Sequence, residues 1–435
     1  MSHTYSIEET ASRIRMADSV HKKVSWRLMP FLLLCYVMLY LDRINISFAQ
    51  GPMQTDLGLS STAYGIGITI FFAGYLPFEI PSNLLMRRFG ARKTMARIMI
   101  LWGVMSAAMM LVRNTGEFYL FRFLLGAFEA GFYPGLVLYL TYWYPPQRRA
   151  RVLSFLVAAT ALAGLIGGPL SGWIISGLDQ VKGLAGWRWM FLLQGLPTVL
   201  CGIAALWLLP DGPRTAAWLS RAEQDVVIAG LGHDVQGSTH TKFMREVLRP
   251  KVWVLCFAWF TLMCGAYVLS FWVPAIIRSF GVSGAFALGL WTGVPYGIGV
   301  IGMILVGYHS DLRFERRWHF AFCSLAGAAA LAVTPALGGN VMLATLVLGL
   351  AVAMLFGGSP IFWAMGSSFF SSAAAPVGLA LVNSVGLTAG LLAPLFVGWL
   401  KDRTGSFETG LHVIAALLVV GGVLIPVAIR KRDVN

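Results

Sequence analysis

Three ionisable residues stand inside apolar stretches where lipid or packed helix is expected. Asp42 and Arg43 fall in the first such stretch and Glu129 in the fourth. A charge at membrane depth costs roughly 2.5–3.5 kcal/mol on insertion scales, so it is rarely placed there without a use. Arg122 precedes Glu129 by two helical turns, which puts both on one face. Two cations and two acids thus gather in an otherwise apolar chain, a pattern that reads as a path for an anion and a proton. Asp42 and Arg43 are neighbours and project about 100° apart, so they do not pair directly. Arg43 can reach across to Glu129 or to a substrate carboxylate, and Asp42 can reach Asn45 one turn on. A buried carboxyl beside a cation takes up a proton when a substrate captures that cation. Guanidinium binds carboxylate through two parallel donors, so Arg122 is the expected anion ligand. The plainer readings are an ion pair that only fixes the first helix and a structural seam on the fourth.

The elements that must position these groups are membrane helices. Of 435 residues, 57% are hydrophobic and 12% charged, against about 25% charged in ordinary soluble domains. Hydropathy predicts twelve spans near 28–48, 61–84, 95–112, 117–140, 151–176, 188–209, 252–277, 287–308, 318–337, 341–364, 376–399 and 409–429. The net charge of +14 sorts by side. With both termini on one side, that side collects twenty-five Lys and Arg and the other six: Arg113, Lys182, Arg188, Arg278, Lys401 and Arg403. The asymmetry places both termini in the cytoplasm and is a topology signal, not one for nucleic acid. The first 26 residues are polar without a cleavage site, so span one is expected to remain as an anchor. Five cysteines, all in apolar stretches and with no C-x-x-C, read as packing residues.

A polar segment at 210–251 separates six spans from six and reads as a cytoplasmic linker between an N-terminal bundle (27–209) and a C-terminal bundle (252–430). Residues 1–26 and 431–435 are the expected cytoplasmic tails. Its charged run through Arg221, Glu223 and Asp225 looks helical. The halves also rhyme. Asn83, Arg88, Phe89, Gly90, Arg92 and Lys93 follow the second span. Gly307 to Asp311, with Arg316 and Arg317, follow the eighth. Such duplication is how secondary transporters are built, with substrate at the repeat interface near the midplane.

The string Tyr40-Leu41-Asp42-Arg43-Ile44-Asn45 resembles the first-helix signature of the anion:cation symporter family in the major facilitator superfamily. Phe78 to Asn83, Gly90 to Lys93, Arg122 to Gly135, Gly186 to Phe191, Phe271-Trp272-x-Pro274 and Ser310-Asp311 are similar to further strings of that family. The resemblance covers nearly the whole chain. It implies an all-α membrane protein of twelve helices in two pseudosymmetric six-helix bundles, with proton-coupled uptake of organic anions such as sugar acids, tartrate, phthalate or hydroxyphenylacetate. It further implies that the residue matching Glu129 carries a proton, and that Asn383 and Trp363 fall where relatives contact substrate. Two positions depart from the pattern. Arg87 stands where Asp is frequent, and Gln194 where Glu is frequent, so no gating salt bridge or charge role carries over there.

Around the charged core, Tyr75 is expected to line the cavity, with Glu79 a turn later as a partner for Arg88 or Arg148, or as a gate. In the second half no span interior carries Lys, Arg, Asp or Glu. Tyr267, Ser270, Tyr296, Asn383, Ser384 and Thr388 are its polar offerings, beside Trp272, Phe362 and Trp363. The first half should therefore hold the anionic head and the second the substrate body; Phe356, Pro360 and Phe362 lean toward an aromatic or partly apolar acid. Gly297-x-Gly299-x-x-Gly302 lies within a span with no strand before it, so it is no dinucleotide site. The seven histidines lack metal-ligand spacing, and no Walker A motif is present.

The expectation is a proton-coupled symporter that imports a small organic carboxylate by alternating access. Arg43, Arg122, Tyr75, Tyr267, Trp363 and Asn383 would bind substrate, and Asp42 and Glu129 would couple protons. Two arginines against two acids leave little spare positive charge, which favours a monocarboxylate, aromatic or sugar acid. The expected protein is a monomer in the inner membrane, needs no cofactor, binds no nucleic acid and is not an enzyme. An organic-anion exchanger is the nearest alternative; a carboxylate-binding membrane sensor is remote, for want of an output domain.

Overall fold

The computed structural model describes residues 7–231, 249–313, 315–370 and 375–431. Residues 1–6 and 432–435 of the expected tails and 232–248 of the expected linker lie outside the described residues, as does the side chain of Arg87. The first half holds α1 (Ile7–Leu57), α2 (Ser61–Phe89), α3 (Ala91–Ala108), α4 (Thr115–Glu129), α5 (Phe132–Thr141), α6 (Pro146–Gly177) and α7 (Gly186–Leu208). A short helix, α8 (Arg221–Gly230), precedes the second half. That half holds α9 (Pro250–Ser279), α10 (Ala285–Arg313), α11 (Arg316–Val333), α12 (Val341–Phe369), α13 (Ala375–Thr404) and α14 (Glu408–Ala428). Eleven stretches among the described residues are long and apolar enough to cross a membrane, and the apolar Leu162–Gly177 forms the latter half of α6. The fold is two bundles of six spans.

Two departures from the expected spans have clear causes. Residues 7–26, expected as a polar tail, extend α1 as helix. Val20 and Val24 are buried there, and Lys23 pairs with Glu223 of α8 at 2.9 Å. The α8 start is fixed by a capping box, in which Ser220 accepts from the Glu223 N–H and Glu223 accepts from the Ser220 N–H. The second departure is in span four, expected to be continuous and instead broken into α4 and α5. Gly131 takes φ +86°, outside the helical region and open chiefly to glycine. Pro134 then lacks the N–H that would have reached the Ala130 carbonyl. Glu129 is therefore the last residue of α4, at the break.

The halves pack against each other from one end of the molecule to mid-depth. Pro169 and its flanking glycines let α6 approach α10 so closely that a methyl on Gly168 or Gly289 would overlap the facing backbone carbonyl. Six hydrogen bonds between the halves lie toward the same end. Asp402 of α13 accepts from the Ser61 N–H (3.0 Å) and from the Thr62 N–H and hydroxyl (both 2.6 Å). Ser176 accepts from the Phe286 N–H at 2.9 Å, Tyr64 donates to the Phe271 carbonyl, and Thr69 donates to the Leu391 carbonyl. This end, opposite the chain termini, is the closed end of the molecule.

Candidate functional site

Depth along the helices sets the layout. Arg43 precedes the closed end of α1 by 14 residues, and Tyr75 and Glu129 follow the closed ends of α2 and α4 by 14 each. At 1.5 Å per residue, all three stand about 21 Å from that end, near mid-membrane. Tyr267, 12 residues from the end of α9, stands about 18 Å deep. Arg122 is only 7 residues in, about 10 Å from the closed end.

At the middle level Arg43 Nε donates to Glu129 Oε1 at 2.5 Å. The Arg43 side chain is 16% exposed and Glu129 is 0% exposed, so the cation faces the cavity and the acid stands behind it. The other carboxylate oxygen, Oε2, is buried with no hydrogen-bond partner. The Arg43 guanidinium also rests 5.3 Å from the Tyr75 ring and 5.8 Å from the Tyr40 ring, within cation–π range. Across the cleft Tyr267 packs edge-on against Phe72 at 5.0 Å. These residues meet because α2 and α4 pack backbone to backbone, and a methyl on Gly126 would overlap the Phe71 carbonyl.

Arg122 is 2% exposed and has no carboxylate within ion-pair distance among the described residues. Its Nε donates to the Gly67 carbonyl at 3.3 Å, and its guanidinium covers the Phe71 ring at 4.7 Å. A buried guanidinium without a carboxylate beside it carries a costly, uncompensated charge.

Asp42 faces the other way. Its carboxylate accepts from Trp102 Nε1 (2.6 Å) and Asn45 Nδ2 (3.1 Å), and from the Ser106 hydroxyl. It is 2% exposed, within the first bundle, and outside the Arg43–Glu129 pair. The bond to Asn45 is legible in the sequence; the two from α3 are not, although Trp102 and Ser106 share one helix face at i, i+4. Trp363 and Asn383 lie farther toward the open end, about 33 and 31 Å from the closed end. Trp363 packs at 4.8 Å on Trp259, which stacks on Phe362. Asn383 is half-buried, without a hydrogen-bond partner among the described residues.

Glu79 does not take the partners expected of it. Arg148 pairs with Asp18, and Glu79 has no ion pair among the described residues. The reason is placement, since Glu79 stands on α2 one turn beyond Tyr75 while Arg148 serves the α1 extension. Ser270 and Thr388 spend their hydroxyls on carbonyls of their own helices. Among the described residues no three His, Cys, Asp or Glu side chains gather as a metal site.

This arrangement agrees with what the chain is similar to. A sequence profile described as "Major Facilitator Superfamily" matches residues 32–394. A Pseudomonas putida protein named "Putative metabolite transport protein NicT" is 41% identical over 419 residues, spanning 96% of both chains. An Agrobacterium vitis protein named "Putative tartrate transporter" is 39% identical over 96% of this chain and 94% of its own. The fold is also that of a bacterial homologue of the human lysosomal transporter Spinster, solved in an inward-facing and occupied conformation. There the TM-score is 0.76 at 16% identity, over 94% of this chain and 98% of the other. The chain belongs to the Major Facilitator Superfamily, and it is a multi-pass membrane transporter, not an enzyme.

Proposed function

We propose that the protein is a proton-coupled symporter that imports a small organic carboxylate across the inner membrane. The charge asymmetry favours a cytoplasmic terminal side, and on that reading the contacts at the closed end seal the outer face. The observation that carries the reading is the buried Glu129 carboxylate, bound to Arg43 through one oxygen and orphaned at the other. In the outward-open state a proton loads onto Glu129, which frees the Arg43 guanidinium. The substrate carboxylate then enters between Arg43 and Arg122, the latter already without a counter-ion. Tyr75 and Tyr267 flank it, and Trp363 and Asn383 meet it on the inward path. After the closed end forms, the proton leaves to the cytoplasm, Glu129 reclaims Arg43, and the anion is expelled. Asp42 is the second proposed coupling acid; its three donors give it the further task of holding α1 so that Arg43 faces Glu129.

With Glu129 neutral, Arg43 and Arg122 outweigh Asp42 by one charge, which suits a monocarboxylate. The relative named for tartrate argues that a dicarboxylate belongs in the test. Purified monomer in proteoliposomes, given an inward-directed proton gradient, is expected to accumulate one member of a panel of aromatic, sugar and dicarboxylic acids. Uptake that is indifferent to the gradient but stimulated by internal anion assigns exchange and rejects symport.

A further inference from the structure

A second polar cavity lies far from the transport path. It is a cleft of about 550 Å³ between the α1 extension and the start of α6, lined by Asp18, His21, Lys22, Trp26, Tyr144 and Arg148 among others. Its depth is that of a lipid head group. Trp26 is 31 residues from the closed end of α1, and Arg148 is 29 from that of α6, about 47 and 44 Å. A hydrocarbon core of about 30 Å ends before this level, while a bilayer counted with its head groups reaches about 40–45 Å.

Three features of the cleft are otherwise unexplained. Lys22 is exposed with no ion pair among the described residues, and Arg148 offers five donors of which Asp18 occupies few. Trp26 is 75% exposed at interfacial depth, where indole rings favour lipid contact. His21 is 4% exposed; its Nδ1 donates to the Ala17 carbonyl at 2.7 Å, and its Nε2 has no partner. A neutral imidazole with Nδ1 protonated presents Nε2 as an acceptor awaiting a hydroxyl. The Tyr144 hydroxyl shares a hydrogen bond with Ser25 at 3.0 Å.

We infer that this cleft binds the head group of an anionic phospholipid of the same leaflet, with its phosphate on Lys22 and Arg148 and a head-group hydroxyl on His21 Nε2. Trp26 covers the glycerol backbone of that lipid. The Asp18 carboxylate is compensated by its contact with Arg148 and orients that guanidinium. The cleft is built by the first half alone, so it persists as the two bundles rock.

The test is native mass spectrometry of the purified full chain with phosphatidylglycerol and, separately, phosphatidylcholine. The expected result is selective retention of one phosphatidylglycerol. Lys22→Gln should weaken that retention about fivefold, and adding Arg148→Gln more than tenfold, since each cation at the surface contributes a factor of this order. Lys22 is exposed and makes no ion pair among the described residues, so its single substitution keeps the test readable if the double variant folds poorly. Arg313→Gln, at the terminal end of the other half, should change nothing. Equal retention of both lipids, or a selectivity untouched by Lys22→Gln, overturns the inference. Displacement of the lipid by millimolar inorganic phosphate assigns the cleft to a free anion and overturns the lipid assignment.

Discussion

Arg43 Nε donates to Glu129 Oε1 across 2.5 Å, while the second oxygen of the same buried carboxylate receives nothing. A pair satisfied on both oxygens would be a static clamp. One left half-satisfied in a buried site is easier to part, because its broken state forfeits a single bond. Glu129→Gln keeps the size and removes the charge and the proton. Proton-driven accumulation in proteoliposomes is expected to fall to the level set by equilibration, while counterflow stays within about threefold of wild type. Undiminished accumulation by the variant would dismiss Glu129 as the coupling group.

Arg122 presents the opposite situation, a buried cation with no carboxylate to give up among the described residues. Removing one member of a desolvated charge pair costs about 2–5 kcal/mol, so Arg122→Gln should weaken substrate binding roughly 30-fold or more. In the empty protein the same charge is a burden, and replacing buried charge by fitted apolar groups is frequently neutral or stabilising. Arg122→Met is therefore expected to raise the apparent Tm by a few degrees while abolishing ligand-induced stabilisation. Thermal-shift measurements with and without substrate check both halves of the statement, and a lowered Tm in the empty variant would contradict the unpaired-charge reading.

The charged core was legible in the sequence because its signal is energetic. Arg43 and Glu129 are conspicuous at membrane depth, and the fourth span offers Arg43 a buried carboxyl. What the sequence did not convey is where along the membrane normal each group sits. Arg122 and Glu129 share a helix face two turns apart, yet that spacing is about 10 Å of axial rise, and so they occupy different layers. The break at Gly131 was hidden for a related reason. A glycine followed by a proline three positions on reads as ordinary punctuation in a Gly-rich span, and only its positive φ makes it an interruption. Asp42 was read by its helix neighbours, whereas two of its three donors arrive from α3, whose rotation depends on tertiary packing. Glu79 and Arg148 failed to pair because the extended α1 brought Asp18 to Arg148 first.

Asp42 ties α1 to α3 through Trp102 and Ser106, so losing it should leave the Trp102 N–H and Asn45 amide unsatisfied in a dry site. An unmet buried donor costs about 1–3 kcal/mol. Asp42→Ala is expected to lower the apparent Tm by several degrees, and Trp102→Phe with Ser106→Ala to lower substrate affinity about tenfold without touching any ligand. If Asp42→Ala retained wild-type Tm but lost proton coupling, the carboxyl would be a proton site alone and its bracing of α1 would be refuted.

The last prediction concerns the closed end, where Asp402 reaches across from α13 to accept from the Ser61 N–H and from the Thr62 N–H and hydroxyl. A carboxylate at the start of α2 meets the positive end of that helix dipole as well as three donors. These bonds exist only while the halves are together at this end, so they favour the state closed here by differential contact. Asp402→Ala should shift the balance toward the state open at this end by about 1 kcal/mol, roughly fivefold in population. Spin labels on cysteines placed at Gly58 and Ser406, in the loops flanking the contact, report the separation directly. The five native cysteines are buried and compete little for label. The distance distribution in the variant should gain a longer component that grows at the expense of the short one. An unchanged distribution would mean that the packing of Gly168 against Gly289 holds this end shut without help from Asp402.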